Sequence, residues 1–430
     1  MRSTATSALL AVCGVVALAA GEEAAWRWAG HPAEVRALMK VMPAAALLAA
    51  LLAGLLAARR LRASLAAAAA LLVYAAGAWW LHPSRTLVEP PRPAAPGPPP
   101  PRDAAAPDIV LVVMDTTRRD RLSLYGHDRP TSPALDALAR QAEVYDDAWS
   151  VAPWTPPSHA SLLTGLLPAE HGVDGQDPAP FPAGRLTLTR VLRGAGYRTG
   201  GFVANPNLTA AGWDRDFDEY RSPRFRGRHS LLAWLDRWTF GPDHGDPWTS
   251  SGVTARTLAL ALAWWSAAPG RPRFLFVNLL DPHRPYLPPR AQRRRFLEGM
   301  DADEALAVDQ DPDRYQLQPG LSERQARLLQ ALYDAEIASM DAALGRFLGV
   351  LRARGELDHT LLVVTSDHGE RLGERGLVGH EAAGDRALDP TLLRVPLVIR
   401  YPARAAPRRV PDRMPLTRVA ARILELAGIP

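Results

Sequence analysis

Asp115, Thr155, Asp367 and His368 are the residues of this 430-residue chain whose types best fit reactive chemistry. Two carboxylates, an imidazole and a hydroxyl make a compact O/O/N/O donor set for a divalent cation. A cation held there lowers the pKa of the Thr155 hydroxyl and turns a poor nucleophile into an alkoxide near neutral pH. It also polarises an oxygen of an incoming phosphate or sulfate ester. The imidazole donor favours Mn2+ or Zn2+ over Ca2+, which prefers oxygen. His283 and His380 could bind non-bridging oxygens or protonate the departing alkoxide. Each residue has an ordinary alternative: a histidine after Asp-Pro can be a loop hydrogen-bonder, and Asp367 can cap a following helix.

The elements that must place these groups are legible in outline. In the run Trp154-Thr155-Pro156-Pro157-Ser158-His159-Ala160-Ser161-Leu162-Leu163-Thr164-Gly165, a hydroxyl residue precedes proline and an amphipathic stretch. That pattern predicts Thr155 as the N-cap of a helix, with its oxygen at the positive end of the helix dipole. Short apolar runs at 109–114, 199–204, 274–280, 361–365 and 395–401 predict strands, mostly unbroken in their hydrophobicity, as in strands covered on both faces. Helices are predicted at 132–141, 156–163, 186–193, 252–266 and 322–354, the last opening with the capping box Ser322-Glu323-Arg324-Gln325. This alternation implies an α/β domain with a mostly parallel sheet flanked by helices. Ligands of such sheets bind beyond the carboxyl ends of the strands. Asp115, then Asp281 and His283, then Asp367 and His368 each follow a predicted strand. Residues 205–250 and 290–320 read as irregular excursions.

The first hundred residues have another character. Residues 3–21, 41–58 and 63–81 are charge-free and rich in Ala, Leu and Val, each close to the ~20 residues that cross a bilayer as helix. Arg2 precedes the first span, and Arg59, Arg60 and Arg62 separate the second from the third. The positive-inside rule makes both places cytoplasmic. Everything after residue 82 then lies outside the cytoplasm. The expected organisation is a membrane anchor of three transmembrane helices (1–82), a Pro-rich linker (83–107) and an extracytoplasmic, periplasmic domain (108–430) on a multi-pass inner-membrane protein. A cleaved signal peptide ending at Ala17-Leu18-Ala19 is an alternative that leaves the domain on the same side.

Cys13 is the single cysteine and lies in the first span, so the domain after the linker has no disulfide, thiolate ligand or cysteine nucleophile. The net charge of +5 comes from scattered arginines without a basic block, which argues against a nucleic-acid partner.

The residues as a set resemble the sulfatase branch of the alkaline phosphatase superfamily. The stretches that carry the likeness are DIVLVVMDTTRRDRLSLYG (108–126), TSPALDALARQAEVYDDAWS (131–150), TPPSHASLLTGLLPAEHGV (155–173), LLDPHRPYLPP (279–289), VVTSDHGERLGERGLVGH (363–380) and LLRVPLVIRYP (392–402). The resemblance implies an alkaline phosphatase/sulfatase-like fold, metal ligation by Asp115, Asp367 and His368, a Thr155 nucleophile that also binds the metal, and oxyanion or leaving-group contacts from His283 and His380. It also shows departures. Sulfatases proper carry Cys or Ser, oxidised to formylglycine, at the Thr155 position, and Ser-Arg where this chain has Ser158-His159. The family's active-site lysines are missing, since Lys40 is the single lysine, and Thr116 stands where many sulfatases have a second acidic ligand. A Thr nucleophile instead resembles lipoteichoic acid synthases, phosphoethanolamine transferases and nucleotide pyrophosphatase-like phosphodiesterases. Relatives continue into a smaller C-terminal subdomain where this chain stops, at Ala427-Gly428-Ile429-Pro430.

The expected function is that of a membrane-embedded, metal-dependent hydrolase or phosphotransferase acting on phosphate or sulfate esters, with lipids and glycans among the candidate substrates. The rivals are a true sulfatase working without formylglycine and a catalytically inactive membrane scaffold. Arg118, Arg119 and Arg121 could clamp an anionic substrate near Asp115, one or more of them being expected in surface ion pairs. Asn205 could touch substrate but is expected in a turn, and His159 either packs or replaces the sulfatase arginine at the site. His127, His171, His229, His244 and His359 receive no role.

Overall fold

The structure is a computed structural model that describes residues 106–173, 181, 183–210, 212–222, 250–267, 270–311, 320–380, 388–401 and 407–430. The three apolar spans, nearly all of the linker, His229 and His244 lie outside the described residues. Among the described residues no helix is long and apolar enough to cross a membrane.

Strand β1 (Asp108–Met114) is buried along its whole length. Successive side chains of a strand point to opposite faces, and β1 feeds two separate cores. Val110, Val112 and Met114 pack with Leu135 of α1 (Pro133–Ala139), Trp265 of α4 (Ser250–Ser266) and Leu332 and Leu344 of α5 (Glu323–Ala353). Ile109, Leu111 and Val113 pack with Leu162 of α2 (Thr155–Thr164), Leu192 of α3 (Leu188–Gly194) and Ile423 of α6 (Val419–Ala427). Helices thus cover both faces of the sheet, which is why β1 reads as unbroken Val, Leu and Ile.

Among the described residues the sheet has nine strands. In chain order they are β1, β2 (Glu143–Trp149), β3 (Arg198–Val203), β4 (Glu219–Arg221), β5 (Arg273–Leu279), β6 (Thr360–Thr365), β9 (Arg394–Val395), β10 (Leu397–Arg400) and β11 (Arg408–Pro415). Their order in space is β11-β2-β10-β6-β1-β5-β3-β4, with β9 pairing β2. A separate hairpin joins β7 (Arg371–Leu372) to β8 (Val378–Gly379). The centre of the sheet is parallel, β6 and β5 flanking β1, whereas β9 and β10 enter antiparallel. The expected strand at 395–401 is therefore two pieces. Pro396, which lacks an N–H, separates them.

Two of the longer strands are not visible as apolar runs. β2 (EVYDDAW) carries Glu143, Asp146 and Asp147, and β11 (RRVPDRMP) carries their partners. Arg408 meets Glu143 at 2.7 Å, Arg413 meets Asp147 at 3.0 Å, and Arg409 pairs with Asp146. Opposite charges placed across strands contribute to pairing, but the partners are more than 250 residues apart in sequence. The excursions also hold structure: β4 and a 3-10 turn at Pro206–Thr209 in the first, and helices Arg290–Phe296 and Ala302–Ala307 in the second.

Helix α5 begins at the expected capping box, Ser322 accepting from the Gln325 N–H. Its buried face braces the loops at the carboxyl ends of the strands. The Tyr333 hydroxyl donates to the Thr116 carbonyl (2.7 Å) and accepts from the Arg118 N–H (2.9 Å). Asp334 receives Arg121 at 2.9 Å and His127 at 3.1 Å, and Glu336 accepts the Leu287 N–H at 2.7 Å. The loops after β1 and β5, which carry Asp115 and His283, are thus held by one helix.

Candidate active site

Asp115 follows β1, and its N–H donates to the Leu279 carbonyl at the end of β5 (2.8 Å). Asp367 and His368 follow β6, which is in parallel register with β1, Thr365 opposite Val113. Parallel pairing therefore puts all three at one edge of the sheet. Thr155 arrives from the opposite layer. It is the first residue of α2 rather than the N-cap, a position taken by Trp154 without a side-chain cap bond. Pro156 and Pro157 have no N–H, so the first turn has fewer donors to satisfy. The Thr155 hydroxyl is consequently available to the site, with Oγ1 3.4 Å from His368 Nε2 and accepting from Asn205 Nδ2 at 3.2 Å. Ser158 ties α2 to the same place by donating to the Asp367 carbonyl (2.6 Å).

Donor atoms of Asp115, Asp367 and His368 lie within 4.8 Å of one another, and all three residues are buried. Asp115 Oδ2 accepts from Asn205 (2.8 Å) and Asn278 (3.0 Å), while Asp367 Oδ1 accepts from the N–H groups of Thr116 (3.0 Å) and His368 (2.9 Å). Asp115 Oδ1 and Asp367 Oδ2 accept no hydrogen bond. Burial, and then the neighbouring Asp367 charge, push the Asp115 pKa above its ordinary value. Two buried carboxylates with one unsatisfied oxygen each, beside an imidazole, fit a divalent cation, because a cation repays both their desolvation and their repulsion. Thr116 adopts φ 53°, a left-handed conformation that costs a β-branched residue about 1–3 kcal/mol. Its N–H is held by Asp367 and its carbonyl by Tyr333.

The histidines gather on the other side of His368. The His380 ring centroid is 4.6 Å from that of His368 and 5.2 Å from those of His283 and Trp154. Burial, helped by the nearby His368, lowers the His380 pKa to about 3, against the opposing hydrogen bond with Glu370. His283 is half-buried, with Nδ1 2.7 Å from the Arg284 carbonyl. His159 is fully buried beneath the carboxylates, Nδ1 2.8 Å from the Thr155 carbonyl and Nε2 3.4 Å from Asn278 Nδ2. Burial lowers its pKa to about 4 against the pull of the Asp115 charge, which favours a neutral imidazole there.

Three residues of this centre lay outside the expected set. Asn205 does make its turn, accepting from the Asn207 N–H (2.9 Å), but its amide nitrogen also bridges Asp115 and Thr155. Asn278 had a readable signal, since it is a polar residue inside a fully buried apolar strand. Glu370 had none beyond its place in the run after His368. Other residues stay outside the centre. Arg118 is buried rather than on the surface, paired with Asp120 (2.7 Å) and Glu374 (2.5 Å). Arg119 faces Asp146 at 3.8 Å and Arg121 faces Asp334 at 2.9 Å. His171 bonds Ser161 at 3.0 Å, and His359 lies in a 3-10 turn before β6. Asp367 caps no helix, because it lies in a bend that leads through an irregular stretch into β7.

Gly369 shows how tightly the His368 loop is held. Its N–H donates to the Leu392 carbonyl (2.7 Å), and a Cβ on it would lie 1.9 Å from the Thr391 carbonyl oxygen. Gly369→Ala is therefore expected to displace this loop and cost at least about 2–3 kcal/mol. Denaturant unfolding checks this; an unchanged midpoint would mean that the loop can relax without cost.

The sequence model of the family described as Sulfatase matches residues 107–429. Among curated relatives, an ulvan-active sulfatase of Formosa agariphila is 25% identical, the match covering 68% of this chain and 55% of that protein. A multifunctional alkaline phosphatase superfamily protein of Trinickia caryophylli is 26% identical, covering 63% of this chain and 62% of the relative. The chain thus spans little more than half to three-fifths of their lengths. Among solved structures, a phosphonate monoester hydrolase of Agrobacterium radiobacter superposes with a TM-score of 0.60 at 22% identity, covering 75% of this chain and 74% of that one. That likeness is one of fold.

Proposed function

The chain belongs to the sulfatase family, and from that premise we propose that it is a metal-dependent hydrolase of phosphorus or sulfur esters with Thr155 as nucleophile. One observation carries the reading. The Thr155 hydroxyl is uncommitted to its helix and lies 3.4 Å from His368, beside two buried carboxylates that each have an unsatisfied oxygen. Relatives named as a sulfatase and as an alkaline phosphatase superfamily protein, with a phosphonate monoester hydrolase sharing the fold, support ester cleavage.

In the proposed mechanism Asp115, Asp367, His368 and Thr155 would hold the cation, Mn2+ or Zn2+ by the chemistry of the donor set. When bound, the ion supplies the positive charge that lowers the Thr155 hydroxyl pKa and polarises the ester. Thr155 Oγ1 gives its proton to a neutral histidine, His283 or His380, and attacks phosphorus or sulfur in line. An O–P or O–S bond forms, the bond to the ester oxygen breaks, and that oxygen departs with the proton the histidine has taken. Water then attacks the threonine ester and gives its proton to the same histidine, which passes it to Thr155 Oγ1 as the ester bond breaks, restoring the hydroxyl and the neutral imidazole. An acceptor alcohol in place of water would make the reaction a transfer. Asn205 keeps Thr155 and Asp115 in register throughout. Phosphorus is favoured over sulfur, because threonine cannot supply the aldehyde through which sulfatases proper release sulfate.

In the same reading the spans within residues 1–82 hold the domain at the outer face of the inner membrane, within reach of lipid or glycan esters. An inactive scaffold is disfavoured, since buried unsatisfied carboxylate oxygens destabilise a fold that never binds a cation.

The test is a panel of aryl phosphate, phosphodiester, phosphonate monoester and sulfate substrates, assayed with Mn2+ or Zn2+. Rapid quenching and mass spectrometry of the Thr155 peptide accompany it. A phospho-adduct on Thr155 is the expected result. A sulfo-adduct would establish the sulfatase alternative, and turnover with no adduct at Thr155 would overturn the nucleophile.

A further inference from the structure

Glu370 stands outside the metal donor set, yet it is a fully buried carboxylate at the site's edge. The β7–β8 hairpin explains how it gets there. Arg371 pairs with Gly379 across that hairpin, so the residues one step further out, Glu370 and His380, are brought opposite each other. Glu370 Oε1 lies 2.8 Å from His380 Nδ1. Its other oxygen accepts from the Tyr286 hydroxyl (2.9 Å) and the Arg284 N–H (3.3 Å). An ionised carboxylate can only accept, so the proton of this contact belongs on His380 Nδ1. The other ring nitrogen is directed away from Glu370, on a ring packed among His368, His283 and Trp154.

We propose that Glu370 is a positioning residue that fixes His380 as its Nδ1–H tautomer and aims Nε2 at the Thr155 centre. Which nitrogen of a histidine faces a reaction is set by the hydrogen bond of the other. Tyr286 and Arg284, from the loop after β5, hold the carboxylate in turn. Glu370 thereby links the His283-bearing loop to the His368-bearing loop through one buried group.

The kinetic part rests on the ester chemistry proposed above, whereas the tautomer can be read without turnover. Full-length protein with 15N-labelled histidine is expected to show His380 protonated at Nδ1, and Glu370→Ala is expected to lose that single tautomer. An Nε2–H form in the wild type, or an unchanged spectrum in the variant, would overturn the proposal even if the enzyme reading stands. On an active substrate, Glu370→Ala is expected to lower kcat/KM by about 10–100-fold, as for other groups that orient a functional imidazole. In a His380→Ala background the same change should cost less than about twofold, because the two residues act as a unit. Full additivity would show a merely structural carboxylate and sink the idea. Glu370→Gln keeps the volume and one acceptor oxygen, so it is expected to retain more activity than Glu370→Ala; equal loss in both counts against orientation.

Discussion

Thr155→Ala is expected to lower kcat/KM by about 10,000-fold or more on whichever ester the protein turns over, with metal content retained. The size follows from what the substitution removes. Thr155 Oγ1 is the atom that would bond to phosphorus or sulfur, and among the described residues the neighbouring hydroxyls of Ser158 and Thr116 are placed otherwise. Ser158 is committed to the Asp367 carbonyl and to Ser150, and Thr116 is fully buried on a left-handed backbone. Metal retention follows because Asp115, Asp367 and His368 remain, and three ligands hold an ion that a fourth only completes. Thr155→Ser keeps the oxygen and loses a methyl group, so it is expected to stay within about 10–100-fold of wild type. The comparison separates nucleophile from scaffold. A packing role would make serine and alanine similarly harmful, and Thr155→Ala activity above about a tenth of wild type would end the proposal.

The parts of this centre that were legible in the sequence share one property: they follow from local rules. Asp115, Asp367 and His368 sit just past apolar strands, and in a parallel sheet that position is already a functional address. β1, β5 and β6 were readable because strands covered on both faces must be apolar throughout. What stayed hidden depends on distant partners. β2 is stabilised by arginines of β11 that no local pattern connects to it. Asn205 looked like a turn residue because one of its two roles is a turn. Thr155 was misplaced by one position, since Ser/Thr-Pro marks a helix start without saying whether the hydroxyl caps the helix or leaves it. Here tertiary partners, His368 and Asn205, claimed that oxygen instead. The His380–Glu370 contact needed the β7–β8 register, and two-residue strands carry too little pattern to be read.

Asp115→Asn is expected to abolish metal binding and, at the same time, to stabilise the metal-free protein. Opposite signs are what the buried charges require. Without a cation, Asp115 is pushed above its ordinary carboxylate pKa by burial and by Asp367, so its ionised form works against the fold. A group whose folded pKa is raised contributes stability that is complete below the unfolded value and is lost as pH rises through the folded value. Chelated wild type should therefore lose thermal stability as pH climbs above the usual carboxylate range, and chelated Asp115→Asn should lose less. Adding metal reverses the ranking, because a ligand that binds only the native state at 100 times its Kd adds about 2.7 kcal/mol. The wild type should gain a clear rise in Tm with Mn2+ or Zn2+, while Asp115→Asn should gain almost none and fall at least about 1,000-fold in kcat/KM. Melting curves of both proteins, with chelator and with each metal across a pH series, decide the matter. If chelated Asp115→Asn melts below chelated wild type at neutral pH, the two carboxylates are not in electrostatic conflict. The case for a cation between them would then lose its physical basis.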